Sequence, residues 1–198
     1  MAEESDACAV AHGAGPGHTG QAPVPASAPA AAPAGAQAAG RAAAQGGERT
    51  LVAVFAGPVS GYLLRYAADA GYRTLLVEPD AARADAAKMA GFPVLPAVPD
   101  DVEGADVVVT DHHRDELGVA LRDALAAKAR WVGIMGNPHH VGPHVAALES
   151  LGVAPDEIAK VHRPIGLNIG SRTPPEIALS TLAGLIADRN SRPGGFSF

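Results

Sequence analysis

The chain has 198 residues, 47% of them hydrophobic, with 15 basic and 21 acidic side chains giving a formal charge of −6. That length suits one domain plus a tail, and the acid excess with no basic stripe excludes the usual footing for a nucleic-acid partner. No apolar run reaches the roughly 18 residues of a membrane span, the opening "MAEESD" lacks a secretory signal's features, and Cys8 has no partner for a disulfide or a cysteine-rich zinc site. The expected setting is therefore the cytoplasm, without membrane contact.

Residues 9–47 are mostly Ala, Pro, Gly, Gln and Ser, with few branched side chains. Such a stretch cannot bury enough apolar surface to offset its ordering entropy, so residues 1–48 are expected to form a disordered tail. Residues 49–191 are expected to fold as one domain, with 192–198 as a short C-terminal tail.

Within that domain, short apolar runs alternate with longer amphipathic ones. "TLVAVFA" (50–56) predicts a buried strand, "PVSGYLLRYAADAG" (58–71) a helix, and "RTLLVEP" (73–79) a second strand. "DAARADAAKMAG" (80–91) predicts a helix with Asp80 as N-cap, and "FPVLP" (92–96) an edge strand weakened by its prolines. Strands at 105–111 and 130–136 follow, interleaved with helices at 114–128 and 142–152. A last strand is expected around 163–168 and a last helix from Pro174 to Asn190. Continuously apolar strands separated by helices predict an α/β fold, a doubly wound Rossmann-like parallel sheet. Ligands in such a fold sit beyond the carboxyl ends of the strands, which places the turns after 56, 78, 110, 136 and 168 on one rim.

The first of these turns, with Ala56, Gly57, Pro58 and Val59, leads from a strand into a helix, where free N–H groups favour an anion. Phe55 stands where a dinucleotide fingerprint wants its first glycine, while Gly57 is kept. Glu78, at the end of the second strand, is placed to accept ribose hydroxyls and with Asp80 would repel a 2′-phosphate, so a dinucleotide here would be NAD. Thr110 and Asp111 close the third turn. Paired histidines follow at His112 and His113 and again at His139 and His140; the spacing of His140 and His144 suits metal ligands, but Gly142 and Pro143 should break the helix between them. After Gly136, Asn137 and Pro138 read as an N-cap and first-turn pair offering N–H donors to an anion.

The last turn holds most. Thr173 and Glu176 have the capping-box spacing, with Pro174 and Pro175 in the first helical turn. Gly166 and Gly170 permit close approach or positive φ, and Arg172 can pair with a carboxylate or phosphate. A turn serving the fold alone needs the cap but not both glycines and the arginine, which points to a ligand.

The stretch "HRPIGLNIGSRTPPEIALSTLAGLIADR" resembles the closing signature of the Rossmann domain in the XdhC/CoxI family, at His162, Pro164, Ile165, Gly166, Leu167, Ile169, Gly170, Thr173, Pro174, Glu176, Ile177 and Ala178. "RWVGIMGN" and "VFAGPV" resemble two further turns of that family, so the resemblance covers residues 50–190. It implies an accessory protein rather than a turnover enzyme. Such a protein binds the molybdenum cofactor during sulfuration by a cysteine desulfurase and delivers it to the large subunit of a molybdenum hydroxylase of the xanthine or carbon monoxide dehydrogenase type. Residues carried over to that site are Ala56, Gly57, Pro58, Val59, Thr110, Asp111, Gly136, Asn137, His139, His140, Gly166, Asn168, Gly170, Arg172 and Thr173, with Glu78 beside them. Phe55 replaces a family glycine, Asn168 an aspartate, and "NPHH" (137–140) a serine with basic residues; the stretch ahead of 49 does not resemble the family's Gly-Gly-Cys domain. These departures imply a half that works with a partner chain. An NAD-binding oxidoreductase or sensor and a ligand-free docking domain are the alternatives, and a homodimer is the default assembly.

Overall fold

The computed structural model describes residues 49–136 and 142–195. Six short runs form strands: β1 (Thr50–Val54), β2 (Arg73–Val77), β3 (Val94–Leu95), β4 (Asp106–Val109), β5 (Trp131–Ile134) and β6 (Val161–His162). Between and after them lie α1 (Pro58–Asp69), α2 (Ala81–Met89), α3 (Leu117–Ala126), α4 (His144–Ser150), α5 (Pro155–Ile158) and α6 (Pro174–Arg189). All strand pairs are parallel, in the order β3-β2-β1-β4-β5-β6. The chain winds outward from β1 in one direction and from β4 in the other, which makes the β1/β4 boundary the switch point of a doubly wound Rossmann-like sheet.

Strand periodicity divides the core into two layers. Val52 and Val54 of β1 face Leu117 and Leu121 of α3 and Leu148 of α4. Leu51 and Ala53 face the other way, onto Leu63 and Leu64 of α1 and Ala178, Leu182 and Leu185 of α6. The β3–β4 connection carries no helix; Val98 and Val102 from it cover part of the first layer.

Local chemistry sets the helix ends. Asp80 caps α2 by accepting the Arg83 N–H at 2.8 Å, as its position predicts. Glu176 completes a capping box at the start of α6, accepting the N–H groups of Thr173 at 3.0 Å and Arg172 at 2.9 Å. These two bonds, in that order from Arg172 and Thr173, hold the Glu176 carboxyl below its ordinary range.

Two elements depart from the sequence reading. The last strand lies at Val161–His162 and not at 163–168, because Pro164 offers no N–H to a ladder and Gly166 takes φ +86°. The short α5 was not expected; Pro155 opens it, with Asp156 and Glu157 in the first turn where the helix dipole favours acids.

Candidate functional site

The β1 turn keeps the shape of a nucleotide loop but uses its donors internally. Phe55 takes the left-handed φ of +74° that a glycine would adopt freely, and its ring is fully buried under the Arg114 guanidinium, 4.7 Å from the ring centroid. Such strain costs about 1–3 kcal/mol and is held by the surrounding packing. Glu78, also fully buried, accepts the Ala56 N–H at 2.7 Å, the Asp80 N–H at 2.9 Å, and two Arg114 N–H groups at 2.9 and 3.3 Å. Those four bonds fill the acceptor positions of a carboxylate. Burial alone would raise the Glu78 pKa, but the Arg114 hydrogen bonds and the two backbone donors outweigh it and bring it below its ordinary value. The Gly57 N–H donates to Ser60 Oγ at 2.8 Å, so the next donor of the loop is taken as well.

Beyond the β4 and β5 ends opens a cavity of about 700 Å³. Val59 of α1 forms one side, Thr110 and His112 after β4 and Met135 and Gly136 after β5 the floor, and Pro164 to Ser171 with Ile177, Ser180 and Thr181 of α6 the far wall. The loop is fixed to α6 by Leu167 N–H to the Ser180 carbonyl at 3.1 Å and by Ser180 Oγ–H to the Leu167 carbonyl at 2.6 Å. Gly166 makes this approach workable: a Cβ there would stand 2.6 Å from Ser180 Oγ and 3.1 Å from the Thr181 nitrogen. Gly170, at φ +68°, has open space where its Cβ would be, so only its backbone conformation calls for glycine. Burial, then the neighbouring His113, lowers the pKa of His112, with Asp111 opposing; the imidazole is neutral at pH 7 and can donate and accept.

The structure brings Val59, Thr110, Gly136, Gly166, Asn168 and Gly170 together around this cavity. Thr110 spends its hydroxyl on β1, within hydrogen-bond distance of the Val54 and Phe55 carbonyls at 3.0 and 2.9 Å. Ala56 and Gly57 instead border a smaller pocket between α1 and α2, while Pro58 starts α1 and Thr173 caps α6. Asp111 pairs with His113, its Oδ1 accepting the backbone N–H at 3.0 Å. Arg172, expected to face an anion, is exposed and outside the cavity lining. Asn137, His139 and His140 lie outside the described residues. Among the described residues no cluster of three His, Cys, Asp or Glu side chains could hold a metal ion.

Sequence reasoning missed several contributors. Ser180 and Thr181 are buried polar residues interrupting an apolar helix, a signal available in "IALSTL". Arg114 had no such signal, since its partner is 36 positions away. Arg163 was passed over in favour of Arg172, yet its guanidinium lies against Gly136 at the edge of the site.

Comparison with known proteins fits this architecture. Residues 51–185 match the model of the XdhC Rossmann domain. Over 89 residues, 45% of this chain, the sequence is 35% identical to the uncharacterized protein YqeB of Escherichia coli (strain K12), 16% of whose length is covered. A crystal structure described as a xanthine dehydrogenase from Bacillus halodurans superposes with a TM-score of 0.57 over 76% of this chain and 45% of that one; at 23% identity the likeness is one of fold. The chain thus spans less than half the length of either protein. With the family model covering well over half of its residues, the chain belongs to the XdhC Rossmann domain family.

Proposed function

We propose that this chain serves the maturation of a molybdenum hydroxylase as a binding and transfer module, holding the molybdenum cofactor in the rim cavity and delivering it to the hydroxylase large subunit. The reading rests on one coincidence: the segment that carries the family signature, Pro164 to Ser171, is also the segment that walls the cavity. Sulfuration of the held cofactor by a cysteine desulfurase, and pairing of two copies, belong to the same reading.

The cavity suits the group in size and wall chemistry. Its volume of about 700 Å³ falls within the range of small-molecule sites. Ile165, Leu167 and Ile177 offer apolar faces to a flat pterin, and Asn168, Ser171 and His112 offer polar edges. Among the described residues the lining has no lysine or arginine, so a phosphate there would meet neutral donors such as the N–H groups of Gly170 and Ser171. The bound cofactor would supply the molybdenum centre; this chain's part is to bind, orient and release it.

NAD binding is less well supported, because Glu78 and Ser60 already occupy the loop donors a pyrophosphate would need. Calorimetric titration with NAD is expected to show no heat at about 1 mM ligand, a concentration that would reveal even a weak site.

The deciding experiment is anaerobic purification of the full chain from a cofactor-producing host, followed by molybdenum and oxidised-pterin assays. Stoichiometric cofactor is the expected result. Protein free of both molybdenum and pterin would rule out a carrier role.

A further inference from the structure

Among the described residues that line the rim cavity, His112 is the single titratable side chain; the others are apolar, hydroxyl, amide or glycine. It stands beside His113, with ring centroids 3.9 Å apart and planes 37° apart, yet the two imidazoles are differently supplied. Asp111 serves His113: its Oδ1 accepts the His113 backbone N–H at 3.0 Å and lies 3.4 Å from His113 Nδ1. His112 has no carboxylate within ion-pair distance among the described residues. Four groups face it: His113 and Asp111 from its own turn, the Arg163 guanidinium from the segment after β6, and the Met135 carbonyl from the end of β5. Burial and then His113 disfavour its charge and Asp111 opposes them, while Arg163 and the Met135 carbonyl act more weakly, against and for it. The ring is thus neutral when the cavity is empty.

An oxyanion entering this cavity meets no lysine or arginine in the described wall. The cation available to it there is one made on arrival, by protonation of His112. We propose that the rim cavity takes its ligand's oxyanion against His112 together with one proton, so that the imidazole becomes the counter-cation that the wall otherwise lacks. The proton comes from solvent to the ring nitrogen and returns there on release, and no bond of the ligand changes. Arg163, whose guanidinium lies against Gly136 at the edge of the cavity, adds a field that favours the anion's approach. The proposal rests on the reading of this cavity as the ligand site and adds to it a proton-linked hold and release. The empty ring titrates below the ordinary histidine value, and a bound anion raises that midpoint. Affinity is therefore highest below the empty-site midpoint, falls about tenfold per pH unit between the two midpoints, and is constant above the upper one.

Nuclear magnetic resonance of the imidazole rings in the full chain reads this directly, with sulfate as the probe because it carries no proton that titrates near neutral pH. About 50 mM sulfate is expected to raise the His112 midpoint by about one pH unit, reflecting at least a roughly tenfold preference of the anion for the protonated ring. His162, stacked on Trp131 away from the cavity, is the internal reference and should move by no more than about 0.2. Sodium chloride at the same ionic strength should move His112 no more than His162. No rise at His112, an equal rise at His162, or an equal rise in chloride overturns the proposal. In chain purified with bound cofactor, dialysis should strip molybdenum and pterin about tenfold faster at pH 8 than at pH 6, and His112→Gln should lose that difference. Equal retention at both pH values overturns the proton link and leaves the carrier reading standing. A chain purified free of cofactor overturns the carrier reading instead, and the sulfate shift then decides the oxyanion site by itself.

Discussion

Glu78 joins three segments of the chain through one buried carboxylate, and its charge is what Arg114 requires. Replacing it with glutamine leaves the partly buried guanidinium with only the more exposed Glu116, 3.4 Å away, as counterion, at an expected cost of about 2 kcal/mol at pH 7. Because the native pKa of Glu78 lies below its ordinary value, the pair's contribution is complete above about pH 4.3 and is lost as the pH falls through the native value. Urea midpoints of wild type and Glu78→Gln should therefore converge as the pH is lowered from neutrality, and a constant offset would show that the carboxylate's charge contributes nothing. The two glycines of the last turn separate on the same grounds. Gly166→Ala combines φ +86° with a close contact to Ser180, so a loss of about 3 kcal/mol is expected, whereas Gly170→Ala meets open space and should lose only about 1 kcal/mol of backbone strain. Thermal denaturation of both variants decides it; equal losses would mean that close packing on α6 adds nothing. The spacing of Gly57 and Glu78 was legible in the sequence, but the fate of Glu78 was not. An ion pair formed across 36 positions leaves no local pattern, and the carboxylate that reads as a ribose acceptor is consumed by Arg114.

Among the elements, α6 is held at both ends by different means. Its start is set locally by Thr173, the prolines and Glu176, and this was readable because capping chemistry acts within four residues. Its end is set by tertiary contacts: Arg189 Nε donates to Asp106 Oδ2 at 2.7 Å, while Arg130 bridges Asp106 Oδ1 at 2.6 Å and Asp188 Oδ2 at 2.6 Å. Asp106 is fully buried at the first position of β4, so Asp106→Asn should take the carboxylate partner from Arg189, leave Arg130 with Asp188 alone, and cost about 3 kcal/mol. Hydrogen exchange is expected to rise most in the last two turns of α6 and least in its capped first turn; uniform loss of protection would show that the network does not anchor that end specifically. The strand runs 50–54, 73–77, 106–109 and 131–134 fall inside their predicted spans because unbroken apolar sequence has little alternative to a buried parallel strand. β6 escaped that logic. Only two of its residues pair, and the apolar residues that follow, Ile165 and Leu167, serve the α6 contact and the cavity wall instead.

At the scale of the whole molecule, parallel strands give the sheet two chemically different ends. The carboxyl ends open onto a mostly neutral cavity whose far wall is the signature loop, and the amino ends carry the buried Asp106 with Arg130 and Arg189. The first end was foreseeable from the winding rule alone; the second was not, since Asp106, Arg130 and Arg189 stand far apart in the chain and meet only when α6 packs on the sheet. Ser171, half-buried on the cavity wall, tests the cavity as the cofactor's place most directly. A phenylalanine there adds a bulky ring to the wall while the bonds that fix the loop to α6, through Leu167 and Ser180, stay in place. Ser171→Phe should lower the molybdenum and pterin content of the purified chain about tenfold or more and keep the melting temperature within about 3 °C. Full cofactor content in this variant would place the cofactor elsewhere on the molecule, and a much larger fall in melting temperature would show that Ser171 serves the fold and not the site.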